Sequence, residues 1–239
     1  QVHFVVHEAF EAPGAYEQWV AARGHQAGYS RVYLGEPLPP SAADIDLLIV
    51  MGGPQSPATT TADCPHFDAA AEQQLIARCI TAGKAVVGVC LGSQLMGEAL
   101  GAAHGHSPEK EIGKFPITRT EAGRLHPLLA HFGEQLAVGH WHNDMPGLTP
   151  DARILAYSAG CPRQIVEYAP LAYGFQCHME FTPEVIEGLI AAEAHAFPQL
   201  TERRFVQQPD VLRQQDFSEM NTKLFGFLDR LVLAYQQRG

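Results

Sequence analysis

The sequence has few basic residues, few cysteines and no long hydrophobic run. Its 239 residues include 26 Asp and Glu against 16 Lys and Arg, for a formal net charge of −10. Because negative charge repels a phosphate backbone, we expect no nucleic-acid partner. The longest apolar run, Leu47 to Met51 with its neighbours, is far shorter than the ~20 residues of a membrane helix, so no membrane association is expected.

The five cysteines, Cys64, Cys79, Cys90, Cys161 and Cys177, include no CxxC pair and follow no regular spacing. An odd, scattered set in a chain of this length is typical of reduced thiols, which predicts a cytoplasmic location. The sequence also contains no GxxxxGK[ST] or GxGxxG motif, and we predict no cofactor.

Short apolar runs alternate with helical patterns in the first half, which predicts βαβ units and an α/β fold with a mainly parallel central sheet flanked by helices. The run at 45–51 predicts a central strand, and residues 29–34 and 84–89 predict two more. Closely spaced strands between 115 and 177 predict a small antiparallel portion at one edge. We expect a single domain over residues 1–239, with a polar segment and a final helix of 198–239 packed on it.

The most informative segment is KAVVGVCLGSQLMGEALG, residues 84–101. A buried strand leads into Gly88-Val89-Cys90-Leu91-Gly92, and a helix follows without a loop, which predicts a nucleophile elbow. The helix N-terminus favours the thiolate form of Cys90. The backbone N–H of Leu91 would point toward an oxyanion. Cys90 is therefore the candidate nucleophile, and the other four cysteines are interpreted as structural.

Gly88-x-Cys90-x-Gly92-x-Gln94 resembles the nucleophile motif of class I glutamine amidotransferases. Two further blocks match in the order of that family: Gly52-Gly53-Pro54 after a central strand, and Phe175-Gln176-Cys177-His178-Met179-Glu180. The family usually has proline where this chain has Met179. The resemblance implies the three-layer, flavodoxin-like fold of the family.

The resemblance also implies roles for individual residues. Cys90, His178 and Glu180 would form the catalytic triad, and the N–H groups of Gly53 and Leu91 would form the oxyanion hole. Gln94 would hold the α-amino and α-carboxylate end of glutamine. A looser match, Gly139 to Asp144, implies that His142, Asn143 and Asp144 contact the substrate, although a polar turn anchored by Trp141 fits that segment equally well.

Two histidine pairs, His104-x-His106 and His140-x-His142, have the spacing of metal ligands on a strand face. Neither has a Cys, Asp or Glu at a recognised spacing, so we predict no metal site.

Four functions remain open. The first is a glutaminase that hydrolyses glutamine and feeds ammonia to a separate synthetase chain. The second is a stand-alone γ-glutamyl hydrolase or peptidase, because the same triad would cleave any γ-glutamyl amide that the pocket admits. The third is a thiol sensor resembling the DJ-1 group, which typically has histidine where this chain has Leu91. The fourth is an inactive interaction module, which the presence of all three triad residue types argues against.

Overall fold

The computed structural model describes residues 1–238, in which nine strands form one sheet of order β2-β1-β3-β4-β9-β8-β7-β5-β6. The strands are β1 (Val2–Val6), β2 (Ala27–Arg31), β3 (Leu47–Val50), β4 (Ala85–Val89), β5 (Gly105–Arg119), β6 (Gln135–Met145), β7 (Arg153–Ser158), β8 (Ile165–Ala169) and β9 (Ala172–Phe175). The helices are α1 (Ala15–Arg23), α2 (Ala69–Thr81), α3 (Leu91–Ala99), α4 (Glu121–Leu125), α5 (Pro183–Glu193), α6 (Pro209–Leu212) and α7 (Ser218–Gln236).

One half of the sheet is parallel. β1 pairs with β2 and β3, β3 pairs with β4, and β4 pairs with β9, all in the parallel direction. This half of the sheet has a hydrophobic core on each face. In β3, Leu47 and Ile49 face one core, whereas Leu48 and Val50 face the other. A strand covered on both faces has no solvated side, which accounts for its continuous apolar sequence.

The helices pack on the two faces of the sheet and complete both cores. Trp19 of α1, Ile186 of α5 and Phe227 of α7 lie in one core, whereas Leu75 of α2 and Leu95 of α3 lie in the other. The predicted α/β class, with a sheet between two helical layers, is therefore confirmed.

The other half of the sheet is antiparallel, through the neighbouring pairs β9–β8, β8–β7, β7–β5 and β5–β6. It is more extensive than the sequence predicts, because β5 begins at Gly105 rather than near Phe115. The residues before Phe115 alternate poorly between apolar and polar types, and the pairing with β6 shifts register between His106 and Glu111. Such a bulge hides the period of two that identifies a strand in a sequence.

Two strand ends also differ from the sequence-based prediction. β2 covers 27–31, and residues 32–34 form a 3-10 turn that ends at Gly35, whose φ of 75° only glycine adopts easily. β9 ends at Phe175, so His178 lies beyond it in an isolated bridge with Gly139.

The polar segment after residue 198 packs along β5. Ile112 forms a bridge with Val206, and its backbone bonds to the carbonyl of Phe205 and the N–H of Gln207. Phe205 and Leu212 are buried. Within residues 1–238, no helix combines the length and the hydrophobicity that crossing a membrane requires.

Candidate active site

Cys90 lies at the turn between β4 and α3. Among residues 1–238 it is the one non-glycine residue with a positive φ, 49°. A side chain at Gly92 would place its Cβ 2.1 Å from the carbonyl oxygen of Val50, and one at Gly88 would lie 2.4 Å from that of Gly92. Both glycines are therefore required for close backbone packing. The strained turn holds the thiol at the carboxyl end of a central strand and the N-terminus of a helix.

His178 and Glu180 form a buried pair beyond β9. The Nδ1 atom of His178 lies 2.6 Å from a carboxylate oxygen of Glu180, and both residues are at most 1% exposed. The imidazole ring stacks on Phe181 with a centroid distance of 4.7 Å. Because Nδ1 donates its proton to the carboxylate, the unprotonated Nε2 of the neutral ring is the atom available to accept a proton.

The backbone around Glu180 is held from α7. The Asn221 side chain donates hydrogen bonds to the carbonyls of Met179 at 2.8 Å and Phe181 at 3.2 Å. Proline would restrict the backbone here by its ring, whereas Met179 leaves it free. The amide of Asn221 supplies a tertiary restraint at this position.

The charge of His178 reflects its two neighbours. Burial disfavours the imidazolium, but the charge of Glu180, its hydrogen bond to Nδ1 and the nearby Cys90 thiol raise the pKa of His178 well above its ordinary value. In the described residues, Nε2 has no partner of ordinary hydrogen-bond geometry, and the sulfur of Cys90 points to the Trp141 carbonyl at 3.8 Å.

The Gly52-Gly53 loop is held by a histidine at the end of β1. His7 Nδ1 lies 2.8 Å from the carbonyl oxygen of Gly52, and its Nε2 lies 2.8 Å from the carboxylate of Glu72. Both ring nitrogens face acceptors, so the charged ring satisfies both contacts. Burial opposes this charge, but Glu72 and the Gly52 carbonyl raise the pKa of His7 above its usual value.

A cavity of about 150 Å³ opens over Cys90. The predicted residues Gly53, Gln94, His142, Asn143 and Asp144 all line it. The cavity is small beside the roughly 300–1,000 Å³ of drug-sized pockets, which suits a ligand of amino-acid size. Its other lining residues are Glu11, Pro54, Gln55, Lys110, Trp141 and Glu193.

Three of the predicted substrate contacts also bind protein groups. The amide of Gln94 donates to Gln176 at 3.2 Å, and Asp144 lies 2.6 Å from His106. His142 directs its Nε2 away from Cys90, to within 3.2 Å of Glu111. His142 is thus part of the cavity wall, while its Nε2 belongs to a second polar cluster.

Glu11 is a buried acid beside the pair of His178 and Glu180. Burial raises the pKa of Glu11 to about 7. The charge of His178 lowers this pKa, whereas the charge of Glu180 raises it further. A Cβ built on Gly52 would lie 2.6 Å from a Glu11 oxygen and 3.2 Å from the His178 ring. The loop, the acid and the imidazole are therefore in contact.

The sequence analysis did not identify His7, Glu11, Lys110 or Glu193. His7 had one usable signal: it directly follows β1, and the carboxyl ends of parallel strands meet at one edge of a sheet. The other three lie in a loop, in the irregular part of β5 and at the end of α5, where no local pattern distinguishes them.

Comparison with known proteins identifies the family of this chain. Residues 14–193 match the family described as glutamine amidotransferase class-I. The glutamine amidotransferase-like protein YfeJ of Salmonella typhimurium is 58% identical over 238 residues, which cover 100% of both chains. A glutamine-hydrolyzing GMP synthase of Aeropyrum pernix is 30% identical over 70% of this chain but only 31% of its own length.

Solved structures give the same result. SMU.1228c superposes with a TM-score of 0.95 at 51% identity, over 96% of this chain and 98% of that one. A glutamine amidotransferase from Thermotoga maritima has a TM-score of 0.85 over 97% of each chain, at 22% identity, which shows a shared fold. With the family match covering most of its length, this chain belongs to the class I glutamine amidotransferases.

Proposed function

We propose that this protein is a cysteine-dependent glutaminase, which hydrolyses the side-chain amide of glutamine to glutamate and ammonia. One observation carries the proposal: a cysteine at a strained elbow is close enough to a buried histidine to raise its pKa, and Nδ1 of that histidine lies 2.6 Å from a glutamate oxygen. That arrangement matches the requirements of a nucleophile, a base and a group that orients the base.

In the first step, the sulfur of Cys90 attacks the side-chain amide carbon of glutamine. Nε2 of His178 takes the thiol proton, and Glu180 stabilises the imidazolium that forms. The carbonyl oxygen becomes an oxyanion that accepts hydrogen bonds from the backbone N–H groups of Gly53 and Leu91. His178 then gives its proton to the departing nitrogen, the C–N bond breaks, and ammonia leaves a thioester on Cys90.

In the second step, water attacks the thioester carbon. His178 accepts a proton from the water, and the same two N–H groups stabilise the second oxyanion. The C–S bond breaks, the sulfur of Cys90 regains a proton from His178, and glutamate leaves. Gln94, Asn143 and Asp144 line the cavity and would bind the α-amino and α-carboxylate groups.

His7 contributes by fixing the direction of one oxyanion donor. The carbonyl of Gly52 and the N–H of Gly53 belong to one planar peptide unit and point in opposite directions. The bond from His7 to that carbonyl therefore sets where the Gly53 N–H points. Glu72 keeps His7 charged and in place, which makes His7 a positioning residue for the oxyanion hole.

Ammonia needs an acceptor, and we propose that a separate synthetase chain receives it. Support comes from the GMP synthase of Aeropyrum pernix, whose name describes a glutamine-hydrolyzing synthase and of which this chain matches 31%. Pull-down with Cys90 alkylated by a glutamine-derived diazo-ketone, compared with the unlabelled protein, would test for a chain that binds the form with an occupied glutamine pocket.

A second candidate is a γ-glutamyl hydrolase. The cavity is lined by three acidic residues, Glu11, Asp144 and Glu193, against a single cationic side chain, Lys110. Even when Glu11 is protonated, as burial favours, two acidic side chains remain against one lysine. This excess of negative charge favours a γ-glutamyl amide whose amine portion is cationic.

A substrate panel separates the two candidates. Glutamine and γ-glutamyl amides with neutral, acidic or cationic amine portions should be compared by kcat/KM. We expect glutamine turnover, and labelling of Cys90 by the diazo-ketone in peptide mass mapping. Turnover of the cationic amides with negligible glutamine hydrolysis would establish the hydrolase instead. Inertness toward the whole panel and the reagent would contradict both.

A further inference from the structure

The antiparallel half of the sheet contains a buried polar cluster that the proposed reaction does not use. It consists of Glu111 on β5, His140 and His142 on β6, and Gln164 just before β8; three are 0% exposed and His142 is 5% exposed. The register sets Glu111 opposite His142. His140 projects to the same face because residues i and i+2 of a strand do so. The fold thus gives the His140-x-His142 pair the acidic neighbour that its sequence lacks.

The donor atoms converge at metal-site spacing. A Glu111 carboxylate oxygen lies 3.2 Å from His142 Nε2 and 3.6 Å from His140 Nδ1. The terminal nitrogen of the Gln164 amide lies 2.7 Å from that oxygen and 3.3 Å from each ring nitrogen. A tetrahedral zinc ion with bonds of ~2.0–2.1 Å holds its ligand atoms ~3.3–3.4 Å apart.

Hydrogen bonds alone do not satisfy this cluster. In the neutral ring, His140 Nε2 donates to the Phe115 carbonyl at 3.2 Å, which leaves Nδ1 as a lone pair directed into the cluster. The two hydrogens of the Gln164 amide face three acceptors, namely His140 Nδ1, Glu111 and Ser158. The fourth neighbour, His142 Nε2, is the donor to Glu111 when it carries the ring proton. The oxygen of that same amide is buried without a donor in the described residues.

We propose that this cluster binds one divalent transition-metal ion of the zinc class. Glu111, His140 Nδ1 and His142 Nε2 supply three ligands, and the Gln164 amide, rotated so that its oxygen faces inward, supplies the fourth. Four protein ligands leave no open position, so the ion is structural rather than catalytic. It joins β5 and β6 to the start of β8 behind the cavity wall formed by Trp141 and His142.

A second cluster provides a matched control. Donor atoms of Glu8, Cys64 and His66 also lie within 4.8 Å of one another, but these residues are only partly buried. Here His66 lies 2.9 Å from Glu8, and Gln55 donates to Glu8 at 2.8 Å. These hydrogen bonds account for the cluster of Glu8, Cys64 and His66, and we expect no metal ion there.

The test is the metal content of protein expressed in medium supplemented with Zn²⁺ or with Co²⁺, because a fully buried site is loaded during folding. After exhaustive desalting with a chelator, we expect about one ion per folded wild-type chain. Co²⁺-loaded protein should show the intense visible absorption of four-coordinate cobalt. The metal-loaded protein should also melt at a higher temperature than protein made without added metal.

Variants assign the site. Glu111→Gln and His140→Gln should reduce the metal content at least tenfold, and Ser158→Ala, which removes a hydrogen bond to Glu111, should weaken metal affinity ~10–100-fold. His66→Gln and His104→Gln should keep the wild-type content. The proposal is overturned if wild-type protein retains no ion and shows no cobalt absorption. Loss of the ion in His66→Gln but not in His140→Gln would overturn it as well. Where His140→Gln does not fold, the comparison of wild type with His66→Gln still decides the question, because both proteins should show the same cobalt absorption.

Discussion

The two halves of the sheet contribute to the candidate site in different ways. The parallel half supplies mainly backbone: the elbow at Cys90, the N-terminus of α3 and the Gly52-Gly53 loop, which the buried His7 and Glu72 hold in place. The antiparallel half and the segment after β9 supply buried polar side chains, among them His178, Glu180 and Glu111. The first kind of contribution depends on local chain conformation, and the second on which distant residues the strand register brings together.

This difference predicts two kinds of sensitivity. Changes to Cys90, Glu180 or His7 should reduce the turnover of the folded protein. A buried acid that serves no proton transfer should instead affect the free energy of unfolding. Four substitutions test the comparison, from the largest expected effect to the smallest.

Cys90→Ala should abolish glutamine hydrolysis. Removing the nucleophile of a comparable triad costs about 10⁶-fold in kcat, because its members act as a unit. The melting temperature should remain close to that of wild type, because alanine keeps the Cβ in the same strained turn. Cys79→Ala, in the buried face of α2, is the matched control and should retain turnover. Unchanged activity in Cys90→Ala would show that the elbow is not catalytic.

Glu180→Gln should reduce kcat by about 10⁴-fold, because an amide can donate to Nδ1 and stabilise the wrong tautomer of His178. Steady-state kinetics across pH measures this loss. The exposed Glu202→Gln is the control variant. A loss below tenfold, with the variant fully folded, would mean that the 2.6 Å contact between His178 and Glu180 does not serve catalysis.

His7→Gln should reduce kcat by roughly 10²–10³-fold, which is the usual effect of losing one oxyanion donor. Without His7, the Gly53 N–H is no longer held in the direction of the oxyanion. KM should change little, since His7 does not line the cavity. A purely structural role would instead lower the melting temperature and leave kcat of the folded fraction intact. His3→Gln is the control, because His3 is a partly buried histidine on β1, the strand that precedes His7.

Glu11→Gln should change how stability depends on pH. The carboxyl pKa is raised from 4.5 to about 7 in the folded protein. The folded state therefore holds a proton that the unfolded chain has lost, and stability falls as pH rises through that interval. The full effect is about 3 kcal/mol. The groups that face Glu11 are His7, His178, Glu180 and Glu193.

Urea unfolding at pH 5 and pH 8 measures this effect. Wild type should lose more stability than Glu11→Gln between the two pH values, whereas the exposed Glu202→Gln should follow wild type. Equal losses in wild type and Glu11→Gln would show that Glu11 is ionised at both pH values.

Much of the fold and part of the site could be predicted from the sequence. The run at Leu47–Met51, the glycines around Cys90 and the turn after β3 are local signals, because sheet burial and a strained turn restrict which residues can occupy them. Those signals predicted the α/β class, which the structure confirms. They also led to the nucleophile and oxyanion residues, which remain predictions until turnover is measured.

Tertiary structure alone decided the rest. No local sequence pattern predicts that His7 contacts Gly52 and Glu72. The same holds for the cluster of Glu111 and Gln164 with the two histidines of β6. These contacts depend on strand order and on a register interrupted by a bulge, and both are fixed by packing summed over the whole sheet. The sequence determined where the reactive backbone lies, and the fold determined which buried side chains surround it.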